Sequence, residues 1–311
     1  MDLLTFRAIQ WGLLLVIFGL SAGVLAQEPE APVIPEAGEA VAEVPRAMAV
    51  SGLGEWALAK AYSERAVWLN LEDDTRALAL FQAELSTPGR GALIVLADEG
   101  QTAAEGILGS LLQALAERGV AVMTLGLRSP PEGLRRSRQQ ALALAPAAQE
   151  PEAADEASVM IDVADEGQLA EGATDYRAGV RYVLSAAIQE LERREYERIA
   201  VAGVGWSAEY VTDWALGRDA LAGVVWLAPR FSAEQRANLP GLLEGERRWQ
   251  VLDLHASGAD REGLERAAAI GRQAVAGYQR QPLALANPPQ SADAERVASR
   301  ISSWLGREAF R

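Results

Sequence analysis

Apolar residues along the chain fall into two alternating patterns, short continuous runs and helical spacing. Continuous apolar runs are typical of strands that are covered on both faces. Runs of this kind occupy Ala92–Ala97, Val120–Leu125, Ile199–Ala202, Gly223–Ala228 and Trp249–Leu254, the last of which also contains Gln250 and Asp253. Two further stretches, Ala66–Leu69 and Phe81–Leu85, predict leading strands.

Helical spacing separates these runs, which predicts amphipathic helices between the strands. The positions that carry it are Ile107, Leu108, Leu111, Leu112 and Leu115, then Val180 to Leu191, and finally Val297, Ile301, Trp304 and Leu305 with Ser291 as the N-cap. Strands that alternate with helices predict an α/β fold, with a mostly parallel sheet and helices on both faces. We expect one such domain over residues 48–311, with the five continuous runs as neighbours in its sheet.

Two segments lack either pattern. Residues 27–47 are rich in Pro, Ala and Glu, and they predict a flexible leader because too few apolar groups are present to offset the entropy of ordering. A similar stretch at about 129–172 predicts a low-complexity insertion between two ordered elements.

The first 26 residues resemble a targeting segment. Arg7 precedes an apolar run, and Val24–Ala26 ends in small residues typical of a cleavage site. This predicts a signal peptide and a periplasmic or secreted protein; an uncleaved anchor is the alternative, although the run is short for a membrane span. Because the chain has no cysteine, it offers neither a lipid-attachment site nor disulfides.

The net charge of −14 excludes the basic footprint that nucleic-acid binding requires. No pattern indicates a cofactor. The partner is therefore unknown from the sequence, with a small molecule or an envelope protein as the two classes that remain.

The segment Ile199–Ala208 predicts a strand, a tight glycine turn and a helix. In the nucleophile elbow G-x-S-x-G, a serine occupies the middle of such a turn. Counted from Gly203, that position here is Gly205, which has no side chain with which to attack a substrate.

The order of elements resembles the α/β-hydrolase fold. Gly91–Gln101, Val251–Leu254 and Ile301–Leu305 are similar to an uncharacterised family of exported α/β-hydrolase-like proteins of Gram-negative bacteria. The resemblance implies a fold and a compartment, and no established substrate.

The hydrolase triad is incomplete in this sequence. Asp260 can fill the acid position, but Gly205 replaces the nucleophile and the terminal loop at 278–290 contains no histidine. A triad needs nucleophile, base and acid within hydrogen-bond reach, so no catalytic residues are expected. The alternative is an unusual serine hydrolase for an ester-like substrate, built from Ser207, His255 and Asp260.

The same elbow supplies the candidate binding residues Gly203, Gly205 and Trp206. Gly203, Gly205 and Ala208 also match the dinucleotide fingerprint G-x-G-x-x-A, but the next strand ends without an acidic residue for a ribose. Trp206 is expected to pack in the core with Trp214 and Trp226, or, if exposed beside the turn, to stack on a ligand.

Asp98 and Glu99 complete the set of binding candidates, since they follow the strand that feeds the oxyanion loop of a hydrolase. Adjacent carboxylates would oppose a developing negative charge, so we expect them on a turn into a helix, pointing into water. His255 is the one histidine and lacks partners at metal-binding spacing, so no metal is expected.

Together these features predict an exported protein that keeps a hydrolase scaffold, has lost catalysis and acts in binding. An envelope protein that docks a partner through its leader or insertion is a further alternative.

Overall fold

The computed structural model describes residues 54–87, 89, 91–144, 166–245, 249–257 and 261–309. The predicted signal peptide and leader lie outside this part of the chain. So do Asp260 and the middle of the predicted insertion. The described residues belong to one unit, Met48–Arg311.

Eight strands form one sheet in the order β1-β2-β4-β3-β5-β6-β7-β8. Strands β1 and β2 run antiparallel to each other, β2 runs antiparallel to β4, and the remaining neighbours are parallel. The bounds are β1 Ala66–Asn70, β2 Arg76–Gln82, β3 Ala92–Glu99, β4 Ala121–Leu127, β5 Ile199–Val204, β6 Gly223–Leu227, β7 Gln250–Ala256 and β8 Tyr278–Leu283. The five continuous apolar runs are therefore neighbours, as predicted.

Eight α-helices accompany the sheet in the described residues. They are α1 Glu55–Ala61, α2 Leu108–Ala116, α3 Glu132–Leu144, α4 Glu166–Arg193, α5 Ser207–Ala215, α6 Ala233–Glu244, α7 Arg261–Arg272 and α8 Ala294–Trp304. Helices α2 and α8 pack together, and so do α4 and α5. Every residue of β5 and β6 is buried, and since successive side chains point to opposite faces, helices cover both faces.

Strand β1 lies where it was predicted, but the second strand and the last strand were not placed correctly from the sequence. The second strand begins at Arg76, five residues before the predicted Phe81, and it ends before Leu85, which is 55% exposed. Strand β8 was not expected, because its sequence contains Arg280, Pro282 and two glutamines. It is an edge strand, which pairs with one neighbour only. Such a strand tolerates proline and polar residues, so it need not show an apolar run in the sequence.

Both described ends of the predicted insertion are helical. Helix α3 follows Pro130 and Pro131, and the long helix α4 starts at Glu166. The sequence of α3 is mostly polar, but Glu, Leu, Arg, Gln and Ala, which make up most of it, are good helix formers. No described helix is long and apolar enough to cross a membrane.

The last helix differs slightly from its prediction. Ser291 is not its N-cap but the first residue of a short 3₁₀ turn, where its hydroxyl donates to the Gly106 carbonyl at 2.8 Å. Gln290 caps that turn, and Asp293 precedes α8 directly. The expected apolar face, Val297, Ile301, Trp304 and Leu305, is fully buried.

Candidate functional site

The turn between β5 and α5 has the shape of a nucleophile elbow. Gly205 has φ of +59°, in the left-handed region that glycine adopts without steric cost. Gly203 lies against the start of α5, and a Cβ there would stand 2.6 Å from the Ala208 Cα. Strand, turn and helix thus follow the sequence prediction, and both glycines are required by the tight geometry.

The space that a nucleophile's side chain would fill is occupied by Asp98. A Cβ built on Gly205 would overlap the Asp98 carboxylate. This carboxylate comes from the end of β3, where the register with β4 shifts between Leu96 and Glu99. Irregularities of this kind re-aim side chains, and here the shifted stretch carries Asp98.

Asp98 also takes up the backbone donors of the elbow. Its Oδ1 accepts hydrogen bonds from the N–H groups of Glu99 and Trp206, both at 2.9 Å. In a hydrolase with this elbow, the N–H after the nucleophile and an N–H from the loop after β3 form the oxyanion hole. In this protein the equivalent N–H groups, those of Trp206 and Glu99, already donate to the Asp98 carboxylate.

The same contact bears on the dinucleotide alternative. The fingerprint requires N–H groups at the start of the helix to face a pyrophosphate. The Trp206 N–H faces Asp98 instead, so a pyrophosphate would meet a carboxylate at the turn.

Glu99 does not point into water as expected. Its carboxylate pairs with Arg138 of α3 at 2.7 Å, and both side chains are about one-tenth exposed. The Tyr210 hydroxyl donates to Glu99 at 2.5 Å and lies 2.7 Å from the Arg138 guanidinium. Burial, reinforced by the nearby Glu99 charge, raises the pKa of Tyr210 above its ordinary value, so the phenol remains a donor. The prediction of diverging, solvated carboxylates is therefore wrong for Asp98 and Glu99 alike.

Trp206 lies at the edge of this cluster and not in the core. The Arg138 guanidinium stacks on its ring at 4.0 Å from the centroid. Trp214 and Trp226 are buried, as predicted. One face of Trp206 is thus already covered by an arginine, which is the position a stacking ligand would take.

A cleft of about 440 Å³ opens above the elbow. It lies at the carboxyl ends of the parallel strands, where α/β proteins place their ligands. Its lining contains three cations and two anions among polar and aromatic groups: Asp98, Glu99, Ser129, Pro130, Arg135, Arg138, Gln139, Trp206 and Arg230. The cleft thus brings together three of the five predicted binding residues, Trp206, Asp98 and Glu99, while Gly203 and Gly205 shape the turn beneath them.

Ser207 lies away from this cleft. Its side chain is fully buried, and its hydroxyl lies 2.9 Å from the Leu96 carbonyl and 2.8 Å from the Val204 carbonyl. The Val204 N–H also donates to it at 2.7 Å. A hydroxyl used in this way ties the turn to β3, and it presents no oxygen to a substrate.

His255 is buried on β7, two strands from β5. Its Nε2 faces the Arg280 guanidinium, whose Nε donates at 3.0 Å. A nitrogen that accepts from a cation is not available as a general base. The loop after β8, where a hydrolase keeps its histidine, instead presents Asn287, whose side chain lies 3.4 Å from Arg230.

Sequence reasoning missed a second buried ionic group on β7. Asp253 is fully buried and accepts two hydrogen bonds from Arg266 of α7, both at 3.0 Å, and one from the Tyr278 hydroxyl at 2.6 Å. A lone acid within the apolar run Trp249–Leu254 was the available signal, since a buried charge needs a partner. Within the described ranges, no three His, Asp or Glu side chains gather as metal ligands would.

The strand order, the elbow between β5 and α5 and the cleft above it define a protein of the α/β-hydrolase fold. Solved structures agree on the fold. The esterase domain of a Rhodothermus marinus protein matches with a TM-score of 0.50 and 14% identity, over 78% of this chain and 98% of that one.

Two further matches are similar in extent. An esterase of Pyrococcus furiosus has a TM-score of 0.49 and 10% identity, covering 78% of this chain and 90% of that one. A dienelactone hydrolase of Anabaena variabilis has 0.45 and 13%, covering 78% and 97%. No curated protein matches the chain.

By sequence, the chain belongs to the family described as "Protein of unknown function (DUF3530)", which matches residues 11–307. The match spans nearly the whole chain. The family assignment agrees with the resemblance to an uncharacterised hydrolase-like family.

Proposed function

We propose that this protein uses the α/β-hydrolase scaffold for binding and does not hydrolyse substrates through a nucleophile at the elbow. The observation that carries the proposal is the position of Asp98. Its carboxylate fills the volume of the nucleophile's side chain and accepts the N–H of Trp206. A tetrahedral oxyanion would have to displace a negative charge to reach the same donor, which opposes the stabilisation that acyl transfer requires.

The positions of the remaining catalytic candidates support the same proposal. Ser207 is bonded to the backbone beneath the turn, and His255 faces Arg280 two strands away. Neither is arranged as nucleophile and base in mutual reach. The third candidate, Asp260, lies outside the described residues.

A serine hydrolase of unusual constellation is the competing function, since the matched solved structures include an esterase domain. Purified protein is incubated with p-nitrophenyl acetate and butyrate, and separately with a fluorophosphonate probe that labels activated serines. We expect turnover at the level of buffer and no stoichiometric labelling. Turnover above background together with labelling mapped to Ser207 would refute the proposal; the mapping is direct and does not depend on whether a Ser207→Ala variant folds.

We propose in addition that the chain is exported. The support is the sequence of residues 1–26, with Arg7, the apolar run and the small residues Val24–Ala26. Sequencing the N-terminus of the protein recovered from an expressing Gram-negative cell should give a chain that begins at or near Gln27. A mature chain that begins at Met1 would contradict cleavage.

A further inference from the structure

The cleft above the elbow combines five charged residues whose charges are unequally neutralised. Its two acids both have partners within the fold. Asp98 accepts the N–H of Trp206 at the start of α5, where the helix dipole favours an anion, and the N–H of Glu99 at the end of β3. Glu99 is held by the Arg138 guanidinium and the Tyr210 hydroxyl. Glu99 and Arg138 thus form an ion pair, and Asp98 is held by backbone donors.

The lining contains two further arginines, Arg135 and Arg230, which take no part in these contacts. Arg135 lies on the exposed side of α3, and no ion pair joins it to a carboxylate of the described chain. Arg230 donates its backbone N–H to the Gly205 carbonyl, and among the described residues its guanidinium contacts the neutral side chain of Asn287, at 3.4 Å. Within the described ranges, no ion pair is formed by Arg230 either.

Other arginines of helices α3 and α4 do form ion pairs with carboxylates. Arg136, the next residue of α3, pairs with Glu132 one turn earlier at 2.6 Å. Arg177 of α4 reaches both Glu209 and Asp213. The net charge of the chain is −14, but the lining of this cleft has three arginines and two carboxylates. Arg135 and Arg230, which form no ion pair in the described chain, therefore give the cleft a local excess of positive charge.

We propose that the cleft binds a small molecule through an oxyanion, a carboxylate or a phosphate, held by Arg135 and Arg230. The proposal rests on the binding function proposed above and specifies its ligand class. Guanidinium groups match the planar, two-oxygen geometry of these anions. A volume of about 440 Å³ suits a ligand of small-molecule size. In the described chain, neither Asp98 nor Glu99 forms an ion pair with Arg135 or Arg230, since their contacts are with backbone donors and with Arg138 and Tyr210.

The test is isothermal titration of the full-length mature protein at low ionic strength with phenyl phosphate, benzoate and the neutral analogue benzyl alcohol. We expect both anions, or one of them, to bind and benzyl alcohol not to bind; the stronger of the two anions identifies the phosphate or the carboxylate as the preferred group. Arg135→Gln and Arg230→Gln should each weaken that anion about tenfold, the size of one lost charge-assisted hydrogen bond. Arg136→Gln is the matched control on the same helix and should leave the affinity unchanged.

Three results would overturn the inference: no anion binding up to about 1 mM, the weak limit of specific affinity; equal binding of benzyl alcohol; or unchanged affinity in both Arg135→Gln and Arg230→Gln. Far-ultraviolet circular dichroism of each variant shows whether the fold is kept, and both substitutions are at surface positions. Failure here is distinguishable from failure of the proposed function, since ester turnover is read in a separate assay. Absent anion binding leaves the argument about Asp98 and catalysis intact.

Discussion

Restoring a serine at the elbow tests the central feature of the site. In Gly205→Ser the new residue must adopt φ near +59°, and its Cβ overlaps the Asp98 carboxylate. The carboxylate has to move, because the neighbouring backbone of the turn is fixed by the hydrogen bond from Gly205 N–H to the Leu227 carbonyl at 3.0 Å. Its departure leaves the Trp206 N–H without this acceptor.

Two costs add in this variant. A non-glycine residue in the left-handed region costs roughly 1 kcal/mol. Loss of a hydrogen bond to a charged acceptor costs about 2 kcal/mol, since Asp98 is only 8% exposed and water replaces it incompletely. We therefore expect the free energy of unfolding to fall by about 3 kcal/mol.

Urea denaturation followed by tryptophan fluorescence measures this difference. Gly217→Ser is the matched control, because a Cβ at Gly217 meets nothing within 4 Å. Asp98→Gly combined with Gly205→Ser should lose less stability than the sum of the two single variants, since removing Asp98 removes the overlap. No esterase activity is expected in Gly205→Ser, because the loop after β8 provides Asn287 and no histidine.

The reasoning is refuted if Gly205→Ser is as stable as Gly217→Ser, or if the effects of Asp98→Gly and Gly205→Ser are strictly additive. Either result would mean that the Asp98 carboxylate does not occupy the nucleophile's space in solution. Esterase turnover in Gly205→Ser would show instead that a base is available, which would contradict the account of the triad.

Three further predictions concern parts of the fold around the site. Arg266→Met leaves the buried Asp253 charge with only the Tyr278 hydroxyl, so unfolding should cost about 3 kcal/mol less by urea titration, with Arg261→Met on the exposed face of α7 as control; a loss no larger than the control's would contradict this. Burial raises the pKa of the Asp293 carboxyl, but the hydrogen bond from the Gln290 N–H and the Arg296 guanidinium lower it by more. The pKa of Asp293 therefore lies below the ordinary aspartate value. Because the pKa of Asp293 is lower in the folded state than in the unfolded state, its carboxylate stabilises the fold at pH values above the ordinary aspartate pKa. This contribution is lost as the pH falls through the folded pKa. Asp293→Asn should therefore be less stable at pH 7, and its stability should fall less steeply during acid titration. Glu99→Gln leaves Arg138 without its carboxylate and should raise the hydrogen-exchange rate of α3 more than Glu132→Gln does, since Glu132 pairs only with its exposed neighbour one turn away; equal rates would show that α3 is held by other contacts.

The sheet and the elbow could be predicted because their signals are local. A strand covered on both faces needs a mostly apolar run, and β3 to β7 each contain one. The turn at Gly205 needs glycine because of its φ, so its position is visible in the sequence. The absence of a nucleophile and of a histidine in the terminal loop is likewise a property of residue identity.

The edge strand β8 and helix α3 could not be predicted in the same way, whereas the other edge strand, β1, lies where the sequence predicted it. Strand β8 is ordered by its pairing with β7, although its own residues are mostly polar. Helix α3 has a polar sequence and is held by Arg138, whose partners Glu99 and Tyr210 come from β3 and α5. Strand β8 depends on contacts with distant residues, which override weak local preference.

The chemistry of the site was decided by tertiary structure. Asp98 and Trp206 are 108 residues apart in the sequence, and they meet because β3 pairs with β5 and the register of β3 shifts near its end. From the sequence alone, Asp98 and Glu99 were two adjacent acids after a strand. Their burial, their partners and the two arginines left without carboxylates follow from how the strand ends and α3 come together. Residue identity determined which catalytic groups are missing, whereas the packing of distant segments determined what occupies their place.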